Sequence, residues 1–390
     1  MSGWIWVAYR PAVITIIDDS MKHVVCLVCF AAIALCCRAW QTLTLVDRGD
    51  KAPVAGASVI SSNGMIVGTT DKRGRIRVER KDVPLSVRSL GYESVTITST
   101  EHDSVFMTPA TYSLSEVVIN SAERPITRVV TYAREYCTGA TSTDSLQLYS
   151  EYLLEYFVAD GKVKGYHKSD RSARIKGVRR YGRVSNSQGL DSVMRPGERD
   201  ELTVLSFIED MASVPSEGLA ETEAMRGGLA ADTVQGKYYP KLIYRKNNGL
   251  FSIRRDGLAD NKEHQWSSWY FRMIGLTLEM RRADTSMIFR QNSGGRYGLN
   301  DFIYSTCNLH FVGKGRLLKH VLEVKDAVDM YCYIEQYPVE IRRLTVDEYK
   351  GLRDGNDCDE NFKMPVNVQP QTAAMKTLVS RVNREIPLVK

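Results

Sequence analysis

The run Asp47-Arg-Gly-Asp-Lys-Ala-Pro-Val-Ala-Gly-Ala-Ser-Val59, continued by Gly68-Thr-Thr-Asp-Lys-Arg-Gly74-Arg-Ile76, decides how the front of this chain reads. Apolar residues alternate around these turns: Leu43, Leu45, Val54, Val59, Ile66, Ile76, Val78, Leu85, Val87, Val95 and Ile97. Alternation of period two between short turns is the mark of half-buried antiparallel strands. The punctuation has physical causes. Pro53 fixes φ ahead of a strand, and Gly49, Gly64 and Gly74 permit turn conformations that cost other residues more. Asp71-Lys-Arg-Gly74 has Asp first and Gly last, the preference of a type I turn. A small antiparallel β-sandwich is expected over residues 40–120.

With Gly91-Tyr92 and Leu114-Ser-Glu-Val-Val-Ile119 added, these motifs resemble the carboxypeptidase-regulatory-like domain, a transthyretin-like (Ig-like) β-sandwich. The resemblance covers about residues 41–120. It departs from the family pattern at Leu43, where a Gly is usual, and at Ile76, where a Phe is usual. It implies an interaction module at the front of an exported protein of the Gram-negative periplasm or outer membrane. In TonB-dependent transporters a segment like Leu114–Ile119 leads into a plug and a large barrel. Too few residues follow here, and Val389-Lys390 is not a terminal aromatic, so a transporter is not expected.

The N-terminal segment agrees with export. Met21-Lys-His precedes an apolar run from Val24 to Cys37, and Cys37-Arg-Ala39 ends on a small residue. A basic start, a short apolar stretch and a small end describe a secretory signal peptide over residues 21–39. Residues 1–20 fit badly ahead of it, because Asp18 and Asp19 place negative charge where positive is needed, and they read as an upstream extension. Removing residues 1–39 deletes three basic and two acidic residues, taking the net charge from +6 to +5. That modest value demands no polyanionic partner, and nucleic acid is not expected as one. Four cysteines would remain, Cys137, Cys307, Cys332 and Cys358, with three ways to pair. Cys307 and Cys332 both fall in strand-like runs, as a disulfide or as two buried thiols.

Behind the sandwich, Ile126, Val129, Val130, Ala133 and Tyr136 follow Pro125 at helical spacing, which predicts a connecting helix over 121–138. Residues 139–353 then read as a larger antiparallel, β-rich α+β domain. Its strands are expected at 146–158 (ending at the turn Asp160-Gly161), 242–245, 250–254, 276–280, 303–312, 317–324 and 330–341, with a short helix near 203–211. Thr345-Val-Asp-Glu348 is a capping box that starts a helix. Residues 354–390 look loosely ordered, apart from a final helix around 373–385.

Chemistry-bearing patterns are few. His320-Val-Leu-Glu323 resembles the paired ligands of zinc carboxypeptidases, but no histidine follows to complete the set, and strand geometry turns residues three apart to opposite faces. Neither a catalytic residue nor a metal or cofactor is expected. Lys162–Arg183 holds nine basic residues against Asp170 alone, and in a regular strand Arg174, Lys176 and Arg180 share a face. With Lys164 they form a candidate patch for an anionic ligand, or a charged hairpin edge that resists aggregation. Trp266, Trp269 and Tyr270 are candidate glycan-stacking aromatics, although Trp266, Trp269 or Tyr270, and Met273 also follow the spacing of a core-facing helix.

The expected function is therefore that of an exported, non-catalytic scaffold or binding protein at the cell envelope. Its expected partner is an envelope protein or an anionic glycan, with any membrane association made through such a partner. The alternative is an envelope hydrolase acting on peptide or glycan through a site among residues 139–353.

Overall fold

The computed structural model describes residues 40–101, 103–110, 124–197, 219–236, 241–258, 264–266, 276–315, 326–353, 355, 362–365 and 368–387. The front unit is built from β1 (Trp40–Asp47), β2 (Ser58–Ile60), β3 (Ile66–Thr69), β4 (Arg75–Glu79), β5 (Leu85–Arg88), β6 (Val95–Ile97) and β7 (Ser104–Met107). They form two sheets, β4-β1-β7 and β3-β2-β5-β6. Leu43, Leu45, Val54, Val59, Ile76, Val78, Leu85, Val87 and Ile97 lie between the two sheets, mostly fully buried. Each comes from the alternating set, but two members of that set differ: Ile66 of β3 turns out of this core to pack with Ile60 against Tyr136 and Met375, and Val95 of β6 is only half-buried.

The turn at Asp71 shows why Gly74 is needed. The Gly74 amide donates to the Asp71 carbonyl at 2.9 Å, and Asp71 Oδ1 accepts from the amides of Arg73 and Arg75 at 2.8 Å each. Gly74 has φ of 72°, and a Cβ there would stand 2.4 Å from the Leu45 carbonyl oxygen. No other residue fits that approach.

The second unit is dominated by one antiparallel sheet. Its first strands are β8 (Ile126–Ala140), β9 (Asp144–Ala159), β10 (Arg174–Asn186) and β11 (Asp191–Met194). A small ribbon joins β12 (Leu219–Ala220) to β18 (Arg296–Tyr297). The sheet continues through β13 (Ala231–Val234), β14 (Lys241–Asn247), β15 (Leu250–Asp256), β16 (His264–Trp266), β17 (Leu276–Arg290), β19 (Phe302–Gly315) and β20 (Val328–Leu344). The order across it is β11-β10-β9-β8-β20-β19-β17-β15-β14-β13, with β16 paired to β17. The chain is thus mainly β. Among the described residues its α-helices are α1 (Glu223–Arg226), α2 (Val346–Arg353) and α3 (Ala373–Glu385).

The connecting helix expected over 121–138 is replaced by strand β8. The reason is double burial. Val129, Ala133 and Cys137 face one side of the sheet, while Val130, Tyr132 and Tyr136 face the other, and all six are buried. When both faces are covered, apolar residues need not alternate, and their spacing can imitate a helical period. The β-branched run Ile126, Thr127, Val129, Val130 and Thr131 suits a strand better than a helix.

The disulfide also differs from expectation. Cys332 is bonded to Cys137, and Cys307 is a buried free thiol. Cys332 and Cys137 stand directly opposite each other in the β20–β8 ladder, with Cα atoms 4.1 Å apart. Cys307 faces Ile334, and Cys332 faces Leu309, so that pair is out of register.

The capping box at Thr345 is present. The Thr345 amide donates to Glu348 at 2.8 Å, and the Glu348 amide donates to Thr345 Oγ1 at 3.2 Å, opening α2. The final helix expected around 373–385 is present as α3. α3 buries Met375, Leu378 and Val382 against Tyr136, Tyr149 and Tyr181 of the sheet and Ile60 and Ile66 of the sandwich. The strand expected at 317–324 and the short helix near 203–211 lie outside the described residues.

Candidate functional site

The two faces of the large sheet differ in chemistry. One carries a broad apolar cluster that includes Leu154, Phe251, Phe289 and Met330. The other packs under the sandwich and the tail, and it holds charged and tyrosine side chains at positions sequence patterns leave unmarked.

At the centre of that contact, Arg88 of β5 reaches Glu335 of β20. Its Nε and Nη2 donate to the two carboxylate oxygens at 2.9 Å each, and its Nη1 donates to the Pro370 carbonyl at 2.6 Å. Arg134 of β8 donates to Glu335 from Nε at 3.0 Å, and Tyr333 donates its hydroxyl at 2.7 Å. Arg88, Arg134 and Glu335 are each at most 2% exposed. Burial alone would raise the Glu335 carboxyl, but Arg134 and Arg88 pull it down to about 2. One carboxylate between two guanidiniums leaves a net positive centre, and Arg134 Nη1 has no hydrogen-bond partner among the described residues. A neighbouring knot forms around Glu151, which accepts from Tyr132 at 2.6 Å, Tyr149 at 2.9 Å and Gln371 at 3.1 Å and pairs with Arg179 at 2.9 Å. Sandwich, sheet and tail are locked together here.

Beside this lock the two units part to form a cleft of about 530 Å³. That volume lies in the range of small-molecule sites. The sandwich supplies the turn Asp47–Gly56 and the segment Ser89–Tyr92. The sheet supplies a floor of small polar residues, Ser252, Ser286, Thr306 and Asn308, with Ile243, Arg245 and Arg254 beyond them. Most charges here are already engaged. Asp284 lies between Arg254 at 2.7 Å and Arg282 at 2.5 Å. Burial would raise its carboxyl, and Arg282 and Arg254 lower it. Arg282 also reaches across to Thr69 of the sandwich. Asp47 accepts from the Gly49 amide at 2.6 Å and from the Tyr92 hydroxyl at 2.9 Å, which organises the turn. Lys246 pairs with Glu221 at 2.6 Å.

The candidate anionic patch is dispersed. A β-bulge between Ile175 and Gly177 shifts the register, so Arg174 lies opposite Glu155 and Arg180 opposite Ser150, on different faces. Arg174 donates to Asp170 at 2.6 Å and to the Arg353 carbonyl at 2.8 Å, and Lys176 donates to the Gly355 carbonyl at 2.7 Å. Arg180 sits over the Tyr152 ring, while Lys164 is exposed. Trp266 ends strand β16 opposite Leu278 rather than lying on a helix. Trp269, Tyr270, His320, Glu323 and Cys358 are outside the described residues. Sequence reasoning missed Arg88, Arg134, Arg245, Arg254, Asp284 and Glu335. Charged residues inside strand-like apolar runs, as in Leu85-Ser-Val-Arg88, were the available signal.

No family model matches the chain, and no curated protein matches it. A solved structure titled for lipid–protein interactions in lipovitellin matches at a TM-score of 0.29 and 9% identity, over 57% of this chain. The chain spans 26% of that protein's length, and nothing about its own ligand follows. Among the described residues, no three His, Cys, Asp or Glu side chains gather as a metal site, and no helix is long and apolar enough to cross a membrane.

Proposed function

We propose that the chain is an exported, non-catalytic binding protein of the cell envelope, with the sandwich as its interaction module and the seam cleft as its ligand site. The carrying observation is the cleft itself. Its walls come from two separately cored units, and the buried Arg88–Glu335 ion pair joins those units. A preformed cavity with few, placed polar groups is the usual form of a small-molecule site. The export part of the reading rests on the Lys22–Ala39 pattern.

Two measurements test the proposal. Cell fractionation with N-terminal sequencing should find the native protein in the envelope, beginning near Trp40; an intact cytoplasmic Met1 or Met21 refutes export. Ligand-observed NMR of the full chain against a library of small envelope constituents should give hits that vanish in Ser286→Trp, which fills the floor of the cleft. Hits that persist in that variant remove the cleft from the proposal.

A further inference from the structure

The charges lining the cleft sort into engaged and disengaged ones. Asp47 is consumed by its turn and by Tyr92, Lys246 by Glu221, and Asp284 with Arg254 by each other. Two remain. Arg245 on β14 is exposed and takes part in no ion pair among the described residues. Asp50 on the sandwich turn is also exposed. Its Oδ1 accepts from the Ala52 amide at 2.8 Å, which orients the carboxylate and leaves Oδ2 without a partner among the described residues. The two charges have opposite sign and belong to opposite walls, one from the sandwich and one from the sheet.

They also converge. Burial and the hydrogen bond to Asp47 push the Tyr92 hydroxyl well up, Asp50 adds to that rise, and Arg245 opposes it. Arg254, on the strand next to Arg245, has an Nε with no hydrogen-bond partner among the described residues. The cleft lining also includes apolar side chains, Pro53, Leu90, Ile243, Leu250 and Ile288.

The geometry points to a small zwitterion with an apolar body, a free amino acid or a short peptide, as the ligand of this cleft, and this inference rests on the binding reading above. Its carboxylate meets the Arg245 guanidinium, which can engage both oxygens in a plane. Its ammonium meets Asp50. The apolar walls take the side chain or chains, and the hydroxyls of Ser252, Ser286 and Thr306 are placed for backbone amides.

Calorimetric titration of the full chain tests this with trialanine, N-acetyltrialanine, trialanine amide and alanine. Trialanine or alanine should bind, and blocking either end of the bound form should weaken binding about tenfold or more, the scale of one lost charged contact. Arg245→Gln should abolish the preference for the free carboxylate, and Asp50→Asn the preference for the free amine. Both residues are exposed, so the fold should survive either change. Binding of trialanine alone identifies a peptide site, and equal binding of alanine an amino-acid site. Capped and free forms that bind alike, or no heat from any zwitterion at millimolar concentration, overturn the inference. If library hits are lost in Ser286→Trp while no zwitterion binds, the inference falls and the cleft reading stands. If trialanine binds Ser286→Trp unchanged, both fall.

Discussion

Glu335→Gln would leave Arg88 and Arg134 buried side by side with no carboxylate between them. Two independent arguments set the cost. Removing one member of a buried ion pair typically costs about 3–5 kcal/mol, because the remaining charge is stranded. Separately, a carboxyl held at about 2 against an ordinary 4.5 contributes about 3 kcal/mol to folding at neutral pH. The sign follows from the lowered carboxyl. Its contribution is complete above about pH 4.5, the unfolded value, and drains away as pH falls towards 2. Urea unfolding followed by circular dichroism should therefore show Glu335→Gln well below wild type at pH 7, with the two curves converging in acid. Arg88→Met, Arg134→Met and Glu335→Leu combined should recover most of the loss, since an apolar replacement of the whole cluster strands no charge. A deficit below about 1 kcal/mol for Glu335→Gln at neutral pH would refute the reasoning, as would a deficit that does not shrink in acid.

Peptide mapping without reductant should recover Cys137 joined to Cys332, and a Cys307–Cys332 linkage would contradict the structure. Reduction should lower the urea midpoint, because the bond spans a sequence separation of 195 and restrains the unfolded chain by about 5 kcal/mol in the chain-entropy account. Cys307 should resist thiol reagents until the protein unfolds, since burial pushes its thiol up to about 12. Gly74→Ala should destabilise by more than about 1 kcal/mol through its left-handed φ and the Leu45 carbonyl, measurable as a lowered melting temperature. Val87→Ala, emptying the middle of the sandwich, should cost about 2–4 kcal/mol, while the exposed Thr42→Ala should change little.

The sandwich core was legible where a strand covers one face only, as in β1, where Leu43 and Leu45 alternate with the more exposed Thr42, Thr44 and Val46, whereas β2 and β5 bury both faces and were read from Val59 and Val87 alone. The strand at 126–140 was not legible for the opposite reason. With Val129 and Val130 both buried, no face remained polar, and the period that separates strand from helix was erased. The bulge at Ile175–Gly177 was hidden too: one extra residue sends Arg174 and Arg180 to different faces, and nothing in the basic run announces it. α3 was legible, with Met375, Leu378 and Val382 on one side. The lock and the cleft were not. Arg88 finds its partner 247 residues away, and the two cleft walls come from units whose docking no local pattern encodes.

Arg88 also touches Pro370, 282 residues downstream, and Gln371 touches Glu151. Contacts of the sandwich are thus made by residues that follow the last strand of the large sheet. Domains tend to fold as they emerge, front first. A sandwich that forms early must keep Arg88 hydrated until β20 and the tail arrive, so assembly of the seam is delayed by the full length of the large sheet. Pairings this distant in sequence are slow to form. The interval leaves the Arg88 face of the young sandwich bare until its partner strand is made.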